Sequence, residues 1–259
     1  MITSRQNKYI KLIRALQSAV KTRREQGAFV VEGVRLAEEA IAANWPFSVA
    51  LYSANLNERG IKLLAQLKDL GITTEECGTE LLDSISDTQH SQGIILVAEQ
   101  KPFEQVDNPD FVLILDAIRD PGNMGSLLRS AHAAGVDTVW LSADCADPYG
   151  PKAVRAAMGA HFHLPIRQME WSQIAEQIAS ENLAVFVSDV GEGKNYRMAN
   201  YASDLALIIG NEAHGVGQEA RAIEHKRIHI PMHSEIDSIN AVAAGAILLF
   251  EIGHHKGLL

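Results

Sequence analysis

The sequence has little of what several classes of protein require. Its 259 residues include two cysteines, Cys77 and Cys145, whose wide separation provides neither a disulfide framework nor the spacing of a metal site. No apolar run approaches the roughly 20 residues that cross a bilayer, and the polar first residues lack the apolar core of a signal peptide. These absences predict a cytoplasmic protein with reduced thiols, no bound metal and no membrane partner.

The glycine-rich signatures of nucleotide binding are also missing. The second half of the chain contains glycine-rich turns, but none matches G-x-x-x-x-G-K-[ST] or G-x-G-x-x-G. A dinucleotide-dependent oxidoreductase is therefore disfavoured, and a failure to bind NAD would exclude it.

The charge of the chain is unevenly distributed. Residues 1–35 carry eight basic and two acidic side chains, a net charge of +6, so the rest of the chain carries −15. A basic arm on an acidic body is expected if one end of the protein contacts nucleic-acid phosphates. A solvated helix face without a partner would show the same charges, so charge alone leaves both explanations open.

Apolar periodicity predicts alternating helices and strands along the whole chain. Residues Lys101–Asp110 contain two prolines and several polar residues, and they form the one convincing linker. We therefore predict two α/β domains, residues 1–103 and 108–259.

In the first domain, a helical pattern runs from Ile10 to Val20, with Ser4 as its N-cap. In the second domain, strands such as Phe111–Leu115 and Leu205–Ile209 are continuously apolar. Such strands are typical of a mostly parallel sheet that is covered on both faces. Helices are predicted there at Met124–Ala134, Trp171–Ser180 and Ile239–Ile252, and Pro148–His163 has a mixed pattern.

The first segment with chemical potential is 116–129, which follows a buried strand and opens a helix. Gly122 and Gly125 permit close backbone approach, and the helix N-terminus presents free N–H groups to an anion or hydroxyl. Asn123 and Arg129 are near enough in sequence to meet one ligand. The alternative is a structural corner in which Asn123 caps the helix and Arg129 is a surface charge.

The second segment is 207–217, where an apolar strand runs into a turn containing Gly210, Glu212, His214 and Gly217. The glycines avoid Cβ clashes with a bound ring or with other backbone. A carboxylate at this turn suits a hydroxyl or a cation better than a phosphate. The alternative is a tight turn in which Glu212 caps a helix.

The third segment contains Ile230-Pro231-Met232, followed by Ser238-Ile239-Asn240 and an alanine-rich helix. The apolar side chains of Ile230, Met232 and Ile239 are suited to enclosing a flat aromatic ring. Ser238 or Asn240 would equally serve as an N-cap, with the rest of the segment in the core.

Together these segments resemble the three motifs of the SpoU (TrmH-type) branch of the SPOUT methyltransferases, over roughly residues 111–252. Asn123–Arg129 resembles N-x-G-x-x-x-R, Gly210–Gly215 resembles G-N-E-x-x-G, and the third segment resembles I-P-M followed by S-L-N. The stretch Phe29–Arg35 resembles the substrate-binding domain attached to many SpoU enzymes. One departure is Ala241-Val242-Ala243, because the family often has V-S-V after the asparagine, so a second serine is missing here.

The resemblance implies a C-terminal α/β domain with a parallel sheet and a deep trefoil knot. It also implies a small N-terminal α/β domain similar to a kink-turn-binding ribosomal protein. The implied activity is S-adenosylmethionine-dependent 2′-O-methylation of a ribose in structured RNA, with rRNA favoured over tRNA, by a homodimer. A non-catalytic RNA-binding protein with the same fold is the rival, and a failure to bind S-adenosylmethionine would favour it.

The resemblance also implies roles for individual residues. Arg129 would contact the target phosphate and hydroxyl, but its guanidinium stays protonated and is a poor base, so His214 is an alternative proton acceptor. The implied catalytic residues are Asn123, Arg129, Glu212, Ser238 and Asn240, and the implied cofactor-binding residues are Gly210, Ile230, Met232 and Ile239. The basic residues of 1–35 supply the candidate RNA-binding residues, which are Arg5, Lys8, Lys11 and Arg35.

Overall fold

The computed structural model describes residues 1–88, 91–101, 103, 106–190, 193–211, 214–233 and 238–259. The chain forms two compact units, which are Met1–Pro102 with Asp147–Phe162, and Phe103–Ala146 with His163–Leu259. The domain boundaries 1–103 and 108–259 stay a prediction, and the compact units depart from them chiefly by placing residues 147–162 in the first unit. Among the described residues, no helix combines the length and the hydropathy that a membrane crossing needs.

Helices and strands alternate over most of the chain, as the apolar periodicity predicts. In chain order they are α1 (Lys8–Ser18), α2 (Val20–Gln26), β1 (Ala28–Glu32), α3 (Val34–Ala42), β2 (Phe47–Tyr52), α4 (Glu58–Asp69), β3 (Thr74–Glu76), α5 (Thr79–Asp83), β4 (Ile94–Glu99), β5 (Phe111–Leu115), α6 (Pro121–Ala133), β6 (Thr138–Ser142), α7 (Pro151–Ala157), β7 (Ile166–Met169), α8 (Trp171–Ser180), β8 (Ala184–Ser188), β9 (Lys194–Asn195), β10 (Leu205–Ile209), α9 (Gln218–Ala222), β11 (Lys226–His229) and α10 (Ala241–His255).

The first unit contains a four-stranded sheet in the order β1-β4-β2-β3. Strand β4 pairs antiparallel with both β1 and β2, whereas β3 pairs parallel with β2. Helix α1 buries Ile10, Ile13 and Leu16 in the core beside this sheet. Its apolar face therefore follows the predicted spacing.

Both predicted ends of α1 are wrong. The side chain of Asn7, rather than Ser4, caps the helix by accepting a hydrogen bond from Tyr9 N. The helix ends at Ser18 because Ala19 is extended, and Val20 begins α2 as an exposed residue. The buried face of α1 thus consists of three apolar residues, and Val20 does not belong to this helix.

Residues 147–162 belong to the first unit, where helix α7 packs against β1. Arg23 is buried, and its Nε donates to Asp147 Oδ2 at 2.6 Å. The ring of Phe29 lies 5.1 Å from that of Tyr149 and 6.3 Å from that of Phe162, centroid to centroid. The segment with the mixed sequence pattern is therefore held by one buried ion pair and an aromatic cluster.

The second unit contains a seven-stranded sheet in the order β7-β6-β5-β10-β8-β11-β9, and all of its pairings are parallel. The central strands β5 and β10 are buried along their whole length. The predicted parallel sheet is confirmed. Strand order does not test the deep trefoil knot, which stays a prediction.

Two helices of the second unit begin away from their predicted first residues. Helix α6 begins at Pro121 rather than Met124, because Asp120 caps it by accepting from Asn123 N at 2.9 Å and proline suits the first helical position. Helix α10 begins at Ala241 rather than Ile239, because Asn240 is its N-cap. Helices α6 and α10 pack together within this unit.

Candidate active site

The polar groups of the candidate site follow the carboxyl ends of three neighbouring strands. Asp116 follows β5, the loop Gly210–Gly217 follows β10, and Asp189 follows β8. Because these strands are parallel and adjacent, their ends and the following loops meet at one edge of the sheet. This edge is where open α/β sheets bind ligands.

The loop Gly210–Gly217 folds back on itself. Gly215 N donates to Asn211 O at 2.8 Å, and a Cβ atom on Gly210 would lie 2.3 Å from the carbonyl carbon of Gly215. Glycine is therefore required at 210 by the close approach of the loop's own backbone. Glu212, a predicted catalytic residue, lies outside the described residues.

Asp116 holds this loop and a neighbouring helix. The residue is 4% exposed, its Oδ2 accepts from Gly217 N at 2.6 Å, and its Oδ1 accepts from Trp171 Nε1 at 3.2 Å. Beside it, Asn211 Nδ2 donates to Ala117 O at 2.9 Å. Ala117 has a φ of +53°, a conformation that costs energy for a residue with a Cβ. These bonds join the first and second sequence motifs.

A cavity of about 380 Å³ lies between the loop and the start of α10. Its wall includes Gly210, Ile209 and Ile239 together with the polar residues Asp189 and Ser238. Pockets of about 300–1,000 Å³ with an apolar lining and a few polar groups are typical of small-molecule sites. The lining fits a ligand with a flat apolar part and polar substituents.

Asp189 brings a negative charge to this cavity, and two arginines partly balance it. Arg221 Nη1 lies 3.4 Å and Arg227 Nη1 3.8 Å from Asp189 Oδ2. Arg221 Nε also donates to Val216 O at 3.2 Å, so the same side chain braces the end of the loop. Sequence reasoning gave no role to Asp189, although a polar residue directly after a buried parallel strand was the available signal.

A second cavity of about 300 Å³ lies on the other side of the loop and shares Asn211, His214 and Gly215 with the first. Asp116 and Trp171 also line it. His214 thus borders both cavities, and its side chain is exposed.

The structure brings some of the predicted site residues together and leaves others apart. Gly210, Ser238 and Ile239 line the larger cavity. Ile230 and Met232 are half-buried, and neither belongs to the described lining of that cavity. The cavity therefore joins the second motif to the end of the third, rather than to its I-P-M part.

The remaining predicted catalytic residues lie on two helices. Asn123 is in the first turn of α6, and Arg129, further along the same helix, is exposed. Asn240 accepts from Val242 N at 2.8 Å as the N-cap of α10, which is the structural alternative raised for it from sequence. Within the described part of the chain, none of these three lines the larger cavity.

The predicted RNA-binding residues all lie in the first unit. Each of the four is exposed, and Lys8 Nζ lies 4.7 Å from the centre of the Tyr9 ring. The four residues are Arg5, Lys8, Lys11 and Arg35. Their exposure leaves their charges accessible to phosphate.

Cys145 lies close to the site but is not prepared for nucleophilic chemistry. Burial raises the pKa of its thiol, and the thiol donates to Leu115 O at 3.2 Å. The thiolate is the nucleophilic form of cysteine, so a protonated thiol is inert at neutral pH. The site is therefore built for binding and orientation and not for a covalent cysteine intermediate.

Comparison with known protein families gives two matches along the chain. The model of the SpoU rRNA Methylase family matches residues 110–250. The model of the MRM3-like substrate binding domain matches residues 7–96. The first match covers more than half of the chain and includes all three motifs.

Individual relatives are similar over nearly the whole length. The 23S rRNA (guanosine(2553)-2′-O)-methyltransferase RlmP of Bacillus subtilis is 29% identical, over 97% of this chain and 98% of that protein. The crystal structure of an rRNA methyltransferase from Sinorhizobium meliloti superposes with a TM-score of 0.87 at 27% identity, covering 98% of this chain and 97% of the other. The SpoU methyltransferase AviRb from Streptomyces viridochromogenes, solved with AdoMet, gives 0.86 at 25% identity, covering 98% and 100%.

Proposed function

The chain belongs to the SpoU rRNA methylase family, and on that premise we propose that it transfers the methyl group of S-adenosylmethionine to a ribose 2′-oxygen in ribosomal RNA. The observation that carries the proposal is the cavity at the carboxyl edge of the parallel sheet, which Gly210, Ser238 and Ile239 line. Similar proteins are named as rRNA methyltransferases, and AviRb was solved with AdoMet, so both the substrate class and the cofactor have support.

The larger cavity would hold the cofactor. S-adenosylmethionine, when bound, supplies a methyl group activated by the positive charge of its sulfonium. Ile209 and Ile239 provide apolar contact for an adenine ring, and Gly210 allows the backbone of Gly215 to pack closely beside them. The polar groups of Asp189 and Ser238 are available to hydroxyl or amino groups.

Arg129 would orient the RNA rather than remove the proton. Its side chain is exposed on α6, and a guanidinium binds phosphate well but stays protonated. Asn123, on the same helix, is the second member of this motif, and Ser238, Asn240 and Glu212 complete the predicted catalytic set. Alignment of the 2′-oxygen with the methyl group would account for much of the rate.

A proton acceptor is still needed, since a ribose hydroxyl is a weak acid. His214 is our candidate because it borders both cavities of the site. Replacing His214 with Gln keeps a polar side chain but removes the imidazole that would accept the proton. We expect kcat to fall by about a hundredfold or more in His214→Gln, and a wild-type kcat would exclude it as the acceptor.

The first unit would bind the RNA through Arg5, Lys8, Lys11 and Arg35. The match of residues 7–96 to the MRM3-like substrate binding domain and the exposure of the four side chains support this assignment. A ribosomal substrate, favoured over tRNA, agrees with the names of the relatives. We place the enzyme in the cytoplasm, in keeping with its two free cysteines.

We also propose a homodimer that forms through α10. Ala243, Ile247 and Phe250 recur at helical spacing and are exposed, Ile247 by 39% and Phe250 by 45%. An apolar stripe on a helix that already packs against α6 is suited to a second copy of the chain. Light scattering of Ile247→Lys/Phe250→Glu should give a monomer if the wild type is a dimer.

The deciding test has two parts. Calorimetry should show S-adenosylmethionine binding to the wild type and weaker binding to Gly210→Ala, which places a Cβ against the loop. Incubation with rRNA and labelled S-adenosylmethionine, followed by nuclease mapping, should then locate one 2′-O-methylated nucleotide. Binding of RNA without binding of S-adenosylmethionine would instead favour the non-catalytic rival.

A further inference from the structure

Asp116 is a buried charged side chain at the site for which the mechanism above has no role. Both of its carboxylate oxygens accept hydrogen bonds, one from Gly217 N and one from Trp171 Nε1. Gly217 is 101 residues away along the chain and Trp171 is 55 residues away. A carboxylate is costly to bury unless such donors satisfy it, and here the donors belong to the loop and helix that border the two cavities.

The contact with Gly217 lies between two residues that line the larger cavity, Gly215 and Arg221, while Gly217 itself lines the second cavity. Gly217 ends the loop that begins at Gly210, and it is the N-cap of α9. Asp116 itself is not among the described residues that line the larger cavity. Its direct contact with this loop is the hydrogen bond from the backbone of Gly217, so the loop backbone is the route by which it can shape the cavity.

A second tie at the same turn holds the other end of the loop. Asn211 Nδ2 donates to Ala117 O, and Ala117 keeps a positive φ while its own N–H donates to Ser142 Oγ at 2.9 Å. The turn Asp116–Ala117 therefore contacts both Asn211 and Gly217. Backbone conformations of this kind persist only where the surrounding structure determines them.

We propose that Asp116 is a positioning residue for S-adenosylmethionine: through Gly217 it holds the described residues of the loop, 210–211 and 214–217, in the arrangement that shapes the cofactor cavity. The inference rests on the proposed function, because it takes that cavity as the cofactor site. Asp116 does not touch the cofactor and moves no proton.

The two donors around Asp116 make the test specific. An ionised carboxylate only accepts hydrogen bonds, so it matches two N–H groups, whereas an asparagine side chain has one oxygen and one NH₂ group. In Asp116→Asn, the NH₂ group must face either Gly217 N–H or Trp171 Nε1–H. Trp171→Phe removes the second donor, so the Asn oxygen can turn towards Gly217 in the double variant.

The experiment measures the Kd of S-adenosylmethionine by calorimetry, the KM and kcat with rRNA, and the Tm. We expect Asp116→Asn to raise the Kd about tenfold or more, since hydrogen bonds to charged groups are the strong ones. Asp116→Asn/Trp171→Phe should bring the Kd back to within about threefold of the wild type. The KM for S-adenosylmethionine should change more than kcat.

Thr138→Val is the matched control. Thr138 is buried in the same sheet, and its Oγ1 donates to Pro165 O at 3.2 Å, at the opposite edge from the site. Loss of this hydrogen bond should lower the Tm and leave the Kd of S-adenosylmethionine within about twofold of the wild type.

Several outcomes would overturn the proposal. A wild-type Kd in Asp116→Asn would do so, and so would a raised Kd that Trp171→Phe does not reverse. Hydrogen exchange at the Gly217 amide of the wild type needs no variant to fold, and exchange as fast as in an exposed loop would also overturn it. If the wild type itself does not bind S-adenosylmethionine, the proposed function fails instead.

Discussion

Arg23 in the first unit and Asp116 in the second are both charged, both 4% exposed, and both tied to a residue more than 100 positions away. Arg23 binds Asp147 and secures residues 147–162 beside an aromatic cluster. Asp116 binds Gly217 and secures a loop that walls a cavity. Both buried charges therefore connect distant parts of the chain, but Asp116 follows a strand of the parallel sheet and lines a cavity of the candidate site, whereas Arg23 lies in helix α2.

The two sheets explain why the cavity lies in the second unit. In its parallel sheet, the carboxyl ends of all strands lie at the same edge. The loops that follow β5, β8 and β10 therefore lie close together. In the mixed sheet of the first unit, antiparallel neighbours send successive loops to opposite edges. The first unit instead has exposed basic side chains, which are suited to contacting the phosphates of an RNA substrate.

The largest effect is expected at Arg129, in the second unit. Arg129→Ala should reduce kcat roughly a thousandfold, because the group that we propose to bind the phosphate and the reacting 2′-hydroxyl of the target nucleotide is lost. The Kd of S-adenosylmethionine should stay nearly unchanged, since the exposed side chain lies outside the described lining of the cofactor cavity. Methyl-transfer assays and calorimetry check the two parts, and wild-type turnover would remove Arg129 from the mechanism.

The second largest effect is expected on the stability of the first unit, when Arg23 is replaced. Arg23→Met should lower the free energy of unfolding by about 3 kcal/mol, because it leaves Asp147 without its cation. Urea denaturation measures the loss, and Arg23→Met/Asp147→Asn should recover part of it. The Kd of S-adenosylmethionine should be unaffected, in contrast to Asp116→Asn. A large change in that Kd would show that the Arg23–Asp147 ion pair, like the Asp116–Gly217 hydrogen bond, affects the cofactor site.

A pH-dependent effect of about 2 kcal/mol at pH 5 is expected at His161, also in the first unit. Burial lowers the pKa of this imidazole to about 4, against smaller opposing effects of the Pro148 carbonyl and Asp147. Its Nδ1 has no hydrogen-bond partner among the described residues. The unfolded chain binds the proton more readily, so this contribution to stability is complete above about pH 6.5 and is lost as the pH falls towards 4.

Urea denaturation at pH 7.5 and pH 5 checks the role of His161. Other groups also titrate over this range, so the comparison is with His161→Phe, which keeps an aromatic ring beside Phe29 and Tyr149. The variant should lose less stability between the two pH values than the wild type. Equal losses would show that His161 is not the group responsible.

The smallest effect is expected on the basic surface of the first unit. Lys8→Ala/Lys11→Ala should weaken RNA binding. It should also reduce the slope of log K against log salt concentration by the amount expected for about two lost phosphate contacts. Lys62→Ala, on the exposed face of α4, is the control and should leave the slope unchanged. Filter binding at several salt concentrations measures the slopes. Equal slopes for both variants would remove Lys8 and Lys11 from the RNA contact.

Long apolar runs and ordinary helical periodicity were enough to predict several elements. The bounds of β5, β10 and α8 agree with the predictions, because continuous burial or a regular apolar stripe is visible in the sequence itself. The errors fall at element ends and in short helices. Helix α7 was missed because its burial comes from packing on β1, which is distant in sequence.

In the candidate site too, sequence motifs identified some residues, and others became apparent only from contacts in the structure. The motifs assigned Gly210 and Ile239 to the cofactor and Ser238 to the catalytic set, and these three residues line one cavity. Ile230 and Met232 were expected beside them but lie outside its described lining. Asp116, Asp189 and Arg221 had no assigned role, since their importance depends on contacts across the sheet edge and not on spacing along the chain.

Apolar periodicity and motif order were sufficient to indicate the α/β class, the parallel sheet and the methyltransferase family, because apolar patterning and motif residues are local properties of a chain. Three features depended on tertiary structure. These are the packing of residues 147–162 in the first unit, the convergence of the motifs at one sheet edge, and the bond between Asp116 and Gly217. Each of them joins residues that are distant in sequence, and only the folded backbone brings such residues within contact distance.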